Sequence, residues 1–99
     1  SMNVGMCRIV LHLSGNTSLK GKRQVLRSII DRVKHRYNVS IAEVDNQDKW
    51  QLATIGISYV NGHHSQVQEL LTKIVDYIES EAKGSAELID CQIEVFQGF

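Results

Sequence analysis

SLKGKRQVLRSIIDRVKHRY, residues 18–37, is the stretch whose spacing points to the fold. At about 100° per residue, Leu19, Leu26, Ile29, Ile30, Val33 and Tyr37 share one sector, the pattern of a helix with one face on a core. Lys20, Arg23, Arg27 and Lys34 share a neighbouring sector. Seven of the chain's 11 Lys and Arg residues fall in this stretch against Asp31 alone, a local charge of +6 (7 − 1). Ser18 is a good N-cap residue. Lys20, Lys22 and Arg23 stand in the first turn, where the helix dipole would favour acids, and N–H groups at such an end suit a phosphate. The same cations also have a plainer use as solvated side chains whose stems cover the edge of a buried stripe.

Working outward, Asn3 to Leu13 alternates, with Cys7, Ile9, Leu11 and Leu13 on one side and Met6, Arg8, Val10 and His12 on the other. That is a strand with one buried face. Ser14 to Thr17 is a polar loop. After the helix, Asn38 to Val44 reads as a β-branched strand whose inward set is either Val39/Ile41 or Ala42/Val44. Asp45 to Lys49 is a turn cluster. Trp50 or Gln51 opens a third strand to Val60, with Ala53, Ile55, Ile57 and Tyr59 on one side and Leu52, Thr54, Gly56 and Ser58 on the other. The second and third strands form a hairpin.

Asn61-Gly62 breaks the chain. Val67, Leu70, Leu71, Ile74 and Ile78 then recur at helical spacing, from a start at His64 or Ser65 to Lys83-Gly84, where glycine suits the C-terminal position. A last strand from Ser85 places Ile89, Cys91, Ile93 and Val95 inward and Asp90, Gln92 and Glu94 outward. The order β-α-β-β-α-β in one domain, residues 2–97, predicts an α+β ferredoxin-like sandwich, a four-stranded antiparallel sheet with two helices on one face. Topology then sets the Ser14–Ser18 loop, the N-terminus of the first helix and the Asp45–Trp50 hairpin at one end, and His63 and His64 at the other.

At 99 residues the chain suits one domain with one core, and 42% hydrophobic with 22% charged residues is the composition of an ordinary soluble protein. No apolar run approaches a membrane span, no signal-peptide pattern opens the chain, and a cytoplasmic location is the default expectation. Ser1 before Met2 looks like a residue left by an expression tag. The formal net charge is zero, but from Asn61 to Phe99 two lysines face seven acids, a charge of −5 (2 − 7). Such an asymmetry can orient a partner or promote head-to-tail association.

No catalytic constellation or strong metal or nucleotide motif is present. Cys7 and Cys91 lack zinc-type spacing and are expected to be buried free thiols. His63-His64 has no third ligand, Ser18 has no histidine base at hand, and Glu43, Asp45 and Asp48 read as hairpin chemistry rather than a cation site. No cofactor or metal is expected. On the uncovered sheet face, Arg8, Val10 and His12 join Thr54, Ser58, Gln92 and Glu94. The outward positions of the first and third strands lack the aromatics on which RNA-recognition modules of this topology stack bases. Trp50 is either an exposed partner anchor or a lid on the core.

Three segments, Ser18-Leu19-Lys20-x-Lys22-Arg23, Asn38-Val39-Ser40-x-Ala42-Glu43-Val44 and Asp48-x-Trp50-Gln51-x-Ala53, lie in a chain that over nearly its whole length resembles the YlxP-like family of small bacterial proteins, a domain of unknown function. The resemblance implies a ferredoxin-like fold and, from the family's gene neighbourhood between a translation initiation factor and ribosome-binding factor A, a role around ribosome assembly or translation. It carries no established catalytic residues. Gly21 stands where the family usually has Glu, which removes the reciprocal capping box and leaves the helix start more positive.

The leading expectation is a non-enzymatic module contacting RNA or a ribosomal particle through Ser18, Lys20, Lys22, Arg23, Arg27 and Lys34, with Trp50, Asp48, Arg8 and His12 as partner contacts and no membrane partner. The alternative is a homodimeric interaction domain using the open sheet face.

Overall fold

A computed structural model describes all residues, 1–99. The elements are β1 (Asn3–His12), α1 (Leu19–Arg36), β2 (Ser40–Asp45), β3 (Leu52–Asn61), α2 (His64–Ala82) and β4 (Glu87–Gln97). The strands form one antiparallel sheet in the order β2-β3-β1-β4. Both helices cover one face of it, and sixteen buried apolar residues fill the space between. This is the ferredoxin-like α+β arrangement expected from the order of periodicities.

Each helix starts and stops for a local reason. Ser18 is extended and its Oγ accepts from the Gly21 N–H at 3.0 Å, capping α1. At the other end Tyr37 turns extended, and its ring meets Tyr77 edge-on with centroids 5.7 Å apart. The Arg36 guanidinium lies 4.8 Å from the Tyr77 ring and Arg32 reaches Glu81 at 3.5 Å, so this side of α1 is a seam with α2. α2 stops at Ala82, and just past its Lys83 cap the chain turns away at Gly84, whose φ of +88° is open to glycine without a steric penalty. At its start Asn61 Oδ1 accepts from the His63 N–H.

The expected inward sets of β1 and β3 are correct: Cys7, Ile9, Leu11, Ala53, Ile55 and Ile57 are buried. Pairing also decides the open choice in β2. Ile41 lies opposite Ile57 and Glu43 opposite Ile55, so Ile41 and Glu43 face the helices while Ala42 faces outward. A bulge at Val44 interrupts the register before Asp45 pairs with Thr54.

Three expectations are corrected. Ile89 is not inward: β1 and β4 shift register between Val10 and Leu11, Asp90 pairs with Val10 and Leu88 with Leu11, and the extra residue, Ile89, is left 53% exposed. Thr54 is outward by parity yet buried, because the Asn46 side chain folds over it and donates Nδ2 to its Oγ1 at 2.8 Å. Cys91 is exposed, since β4 is an edge strand, and only Cys7 is a buried thiol.

Candidate functional site

The expected basic residues of α1 divide into three environments. Lys22 is the first correction: it is fully buried and belongs to the core. Its ammonium donates to the carbonyls of Asn46 at 2.8 Å, Leu52 at 3.2 Å and Gln47 at 3.3 Å, and Glu43 Oε2 lies 2.9 Å away. The three N–H bonds are spent on the three carbonyls, so Glu43 is held by charge rather than by a hydrogen bond. The inward parity of β2 brings Glu43 to this spot, and Lys22 thereby fastens the start of α1 to the β2–β3 hairpin.

A signal for this was present in the sequence. Lys22 precedes Leu26, Ile29 and Val33 by four, seven and eleven residues, on the axis of the apolar stripe. Reading it with its charged neighbours hid that placement.

Arg32 and Arg36 form the second group, turned toward Glu81 and Tyr77 of α2. Lys20, Arg23, Arg27 and Lys34 form the third. All four are exposed, and none has a carboxylate within ion-pairing distance in a chain with three ion pairs in all. They recur at three, four and seven residues, a stripe spanning about 21 Å at 1.5 Å per residue. Because Arg32 and Arg36 mark the α2 side, this stripe lies on the opposite flank of α1, toward the β2 edge. Lys34 accordingly borders a shallow groove with Asn38, Val39, Ser40 and Tyr59.

Ser18 spends its hydroxyl oxygen on its own helix cap. Beside it Asn16 donates Nδ2 to the Ser18 carbonyl at 2.7 Å and to the Trp50 carbonyl at 2.5 Å, tying the loop to the hairpin. A Cβ on residue 21 would run into Asn16 Oδ1. Gly21 therefore goes with this Asn16 tie, which anchors the helix entrance to the hairpin by donating to two carbonyls and, unlike a capping box, satisfies no N–H of the helix. The Gln51 amide adds bonds to the carbonyls of Ser14 and Asn16.

The expected partner contacts are not brought together into one site. Trp50 is an exposed hairpin residue, 55% accessible, and not a lid. Asp48 is exposed in the same turn and makes no ion pair. His12 is half-buried at the end of β1, opposite Leu52 and Glu87, and flanks a small groove with Trp50. Arg8 stands apart on the open sheet face, donating to Gln92 Oε1 at 2.8 Å.

The two thiols lie near one another on adjacent strands. Burial first, then the neighbouring Cys91, push the Cys7 thiol up to about 12. Cys91 is also raised, by its partial burial and by the charges of Asp90 and Asp76, against a lowering by its hydrogen bond with Cys7. Both are held as thiols, the unreactive form. No group of three or more His, Cys, Asp or Glu side chains converges as a metal would require, and no helix is long and apolar enough to cross a membrane.

Comparison with known proteins places this geometry. The uncharacterized protein YlxP of Bacillus subtilis (strain 168) is 38% identical over 74 residues, covering 75% of this chain and 78% of that protein. Among solved structures, the de novo designed protein Foldit4 superposes over 100% of both chains with a TM-score of 0.58 at 14% identity. SnoaB, a cofactor-independent oxygenase from Streptomyces nogalater, covers 100% of this chain and 95% of its own with a TM-score of 0.52 at 10% identity. At those identities the two structures share the fold alone. The family model described as a protein of unknown function, DUF503, matches residues 4–93, and the chain belongs to that family.

Proposed function

We propose that this chain is a non-enzymatic module that binds the phosphate backbone of RNA, free or in a ribonucleoprotein, along the outer flank of α1. The observation that carries this reading is the stripe of Lys20, Arg23, Arg27 and Lys34, four exposed cations on one flank, none of them ion-paired, with Asp31, one turn from Arg27 and Lys34, as the single acid of the helix beside them. Lys22 and Ser18 are not part of this surface. They hold the helix entrance and the hairpin in place beneath it. The setting around ribosome assembly implied by the YlxP-like resemblance is one in which RNA is the abundant polyanion.

Binding of this kind gains its free energy from released counterions, so it weakens as salt rises. Four phosphate contacts to a single strand correspond to a slope of log Kobs against log salt of about −3. Fluorescence anisotropy of a labelled single-stranded RNA across a salt series measures it. The double variant Lys20→Glu/Arg23→Glu is expected to bind more weakly, with its slope reduced to about −1. Equal and salt-insensitive binding by wild type and variant, or no binding by wild type at low salt, removes the proposal.

A further inference from the structure

The sheet face turned away from the helices is uncovered and, over its lower half, apolar. Taking β1 as running upward, Val60, Val4 and Phe96 form a row across β3, β1 and β4 near its lower end. Met6 follows on β1, and Val44 leans over Gly56 further across the sheet, so close that a Cβ on Gly56 would lie 2.7 Å from its methyl group. Met6, Val44, Val60 and Phe96 are each at least half exposed, at 51, 52, 55 and 51%. Contiguous exposure of that kind marks a surface that another surface covers.

The charges on this face say what the cover is. Arg8 pairs with Gln92 across β1 and β4, and Glu94 lies one step along the same pair, opposite Met6. Although they are diagonal neighbours, Arg8 and Glu94 form no ion pair within the chain; Arg8 donates to the neutral Gln92 amide and Glu94 has no cation. A shallow open hollow of about 580 Å³ lies over this point, bordered by Met6, Arg8, Val44, Gly56 and Glu94.

We infer that the open face is an isologous interface with a second copy of this chain. A two-fold axis lying between two such faces sets Arg8 of each copy against Glu94 of the other, so that the two unpaired charges of each copy are met in two reciprocal ion pairs. Met6, Val60 and Phe96 stack around that centre. Asp45, Glu87 and Asp90, the further acids of the face, pair at the level of Val10 and His12 in its upper part and lie outside the overlap. Strands about 4.8 Å apart with a rise of about 3.4 Å per residue give the lower part of the face, about six residues on each of four strands, a flat area of roughly 400 Å² per copy before side-chain relief is counted. That is about half of the ~800 Å² per partner of a standard interface, and the half-exposed side chains of Met6, Val60 and Phe96 add their relief to it. Sheets packing face to face in this way bury both apolar surfaces in one layer.

Sedimentation equilibrium of the full chain from low to high micromolar concentration tests this, with far-UV circular dichroism as the check that each variant is folded. Wild type is expected to be a dimer. Arg8→Glu and, independently, Phe96→Lys are expected to raise the dimer dissociation constant at least tenfold, and Arg8→Glu/Glu94→Arg to restore it. A wild type that is monomeric throughout, alone or bound to a different protein, overturns the inference. So does a dimer indifferent to both single variants, which would be paired by a sheet edge, or a charge exchange that fails to restore association.

Discussion

Three carbonyl oxygens and one carboxylate surround the Lys22 ammonium, which has three hydrogens to give. Every one of those oxygens loses a partner if the lysine goes. Lys22→Met keeps the apolar stem, which the core accommodates, but leaves Glu43 without its counter-charge in a site only one-fifth exposed. Removing one member of a buried pair costs about 3–5 kcal/mol, and urea unfolding of Lys22→Met is expected to show a loss in that range. Glu43→Gln keeps a polar acceptor beside the ammonium and is expected to cost less, about 1–3 kcal/mol. If Lys22→Met proved neutral, the clamp between α1 and the hairpin would have no energetic weight.

At the scale of elements, the packing of α2 on the sheet rests on Gly5. Glycine inside a central strand loses more backbone entropy on folding than other residues do, so its presence calls for a close approach. Here a Cβ would collide with Val67 and lie 2.5 Å from the nearest Leu71 methyl, both on the buried stripe of α2. Gly5→Val adds a good strand former and still drives helix and sheet apart. The expected outcome is a loss of about 1–3 kcal/mol, the usual effect of overpacking, read from the shift of the urea midpoint at unchanged slope. The hairpin is governed by a different device: Asn46, at φ 59°, adopts the left-handed conformation that Asn tolerates, and in that pose its side chain covers Thr54.

For the whole molecule, a net charge of zero hides two surfaces of different character on different sides. The cationic flank of α1 lies on the helix side, and the apolar patch on the opposite face of the sheet. Substitutions at Lys20 and Arg23 therefore leave the patch intact, and substitutions at Arg8 and Phe96 leave the stripe intact. Global stability also has a pH signature. The Cys7 thiol, raised from 9.0 to about 12 in the folded chain, keeps its proton where the unfolded chain releases it. Above the unfolded value the unfolded state binds fewer protons, so stability is complete below pH 9 and declines as pH rises toward 12. Thermal unfolding at a series of alkaline pH values is expected to show a steeper fall for wild type than for Cys7→Ala. Parallel profiles would remove Cys7 as the cause.

Read alone, the sequence determined the elements and their order, because the two-residue and 3.6-residue periods of Cys7–Leu13, Leu26–Val33, Ala53–Tyr59 and Val67–Ile78 are local consequences of burying one side of a strand or helix. It also determined the basic character of α1. What only the tertiary structure decided was which charges are free. The parity of β2 depends on its partner β3, and that pairing turned Glu43 inward to meet Lys22. The bulge that expels Ile89 arises from register between β1 and β4, distant in the chain, and Asn16 is fixed by a carbonyl of the hairpin. A side chain's neighbours across the sheet or under a helix are set by the closing of long loops, and no window of local sequence carries that information.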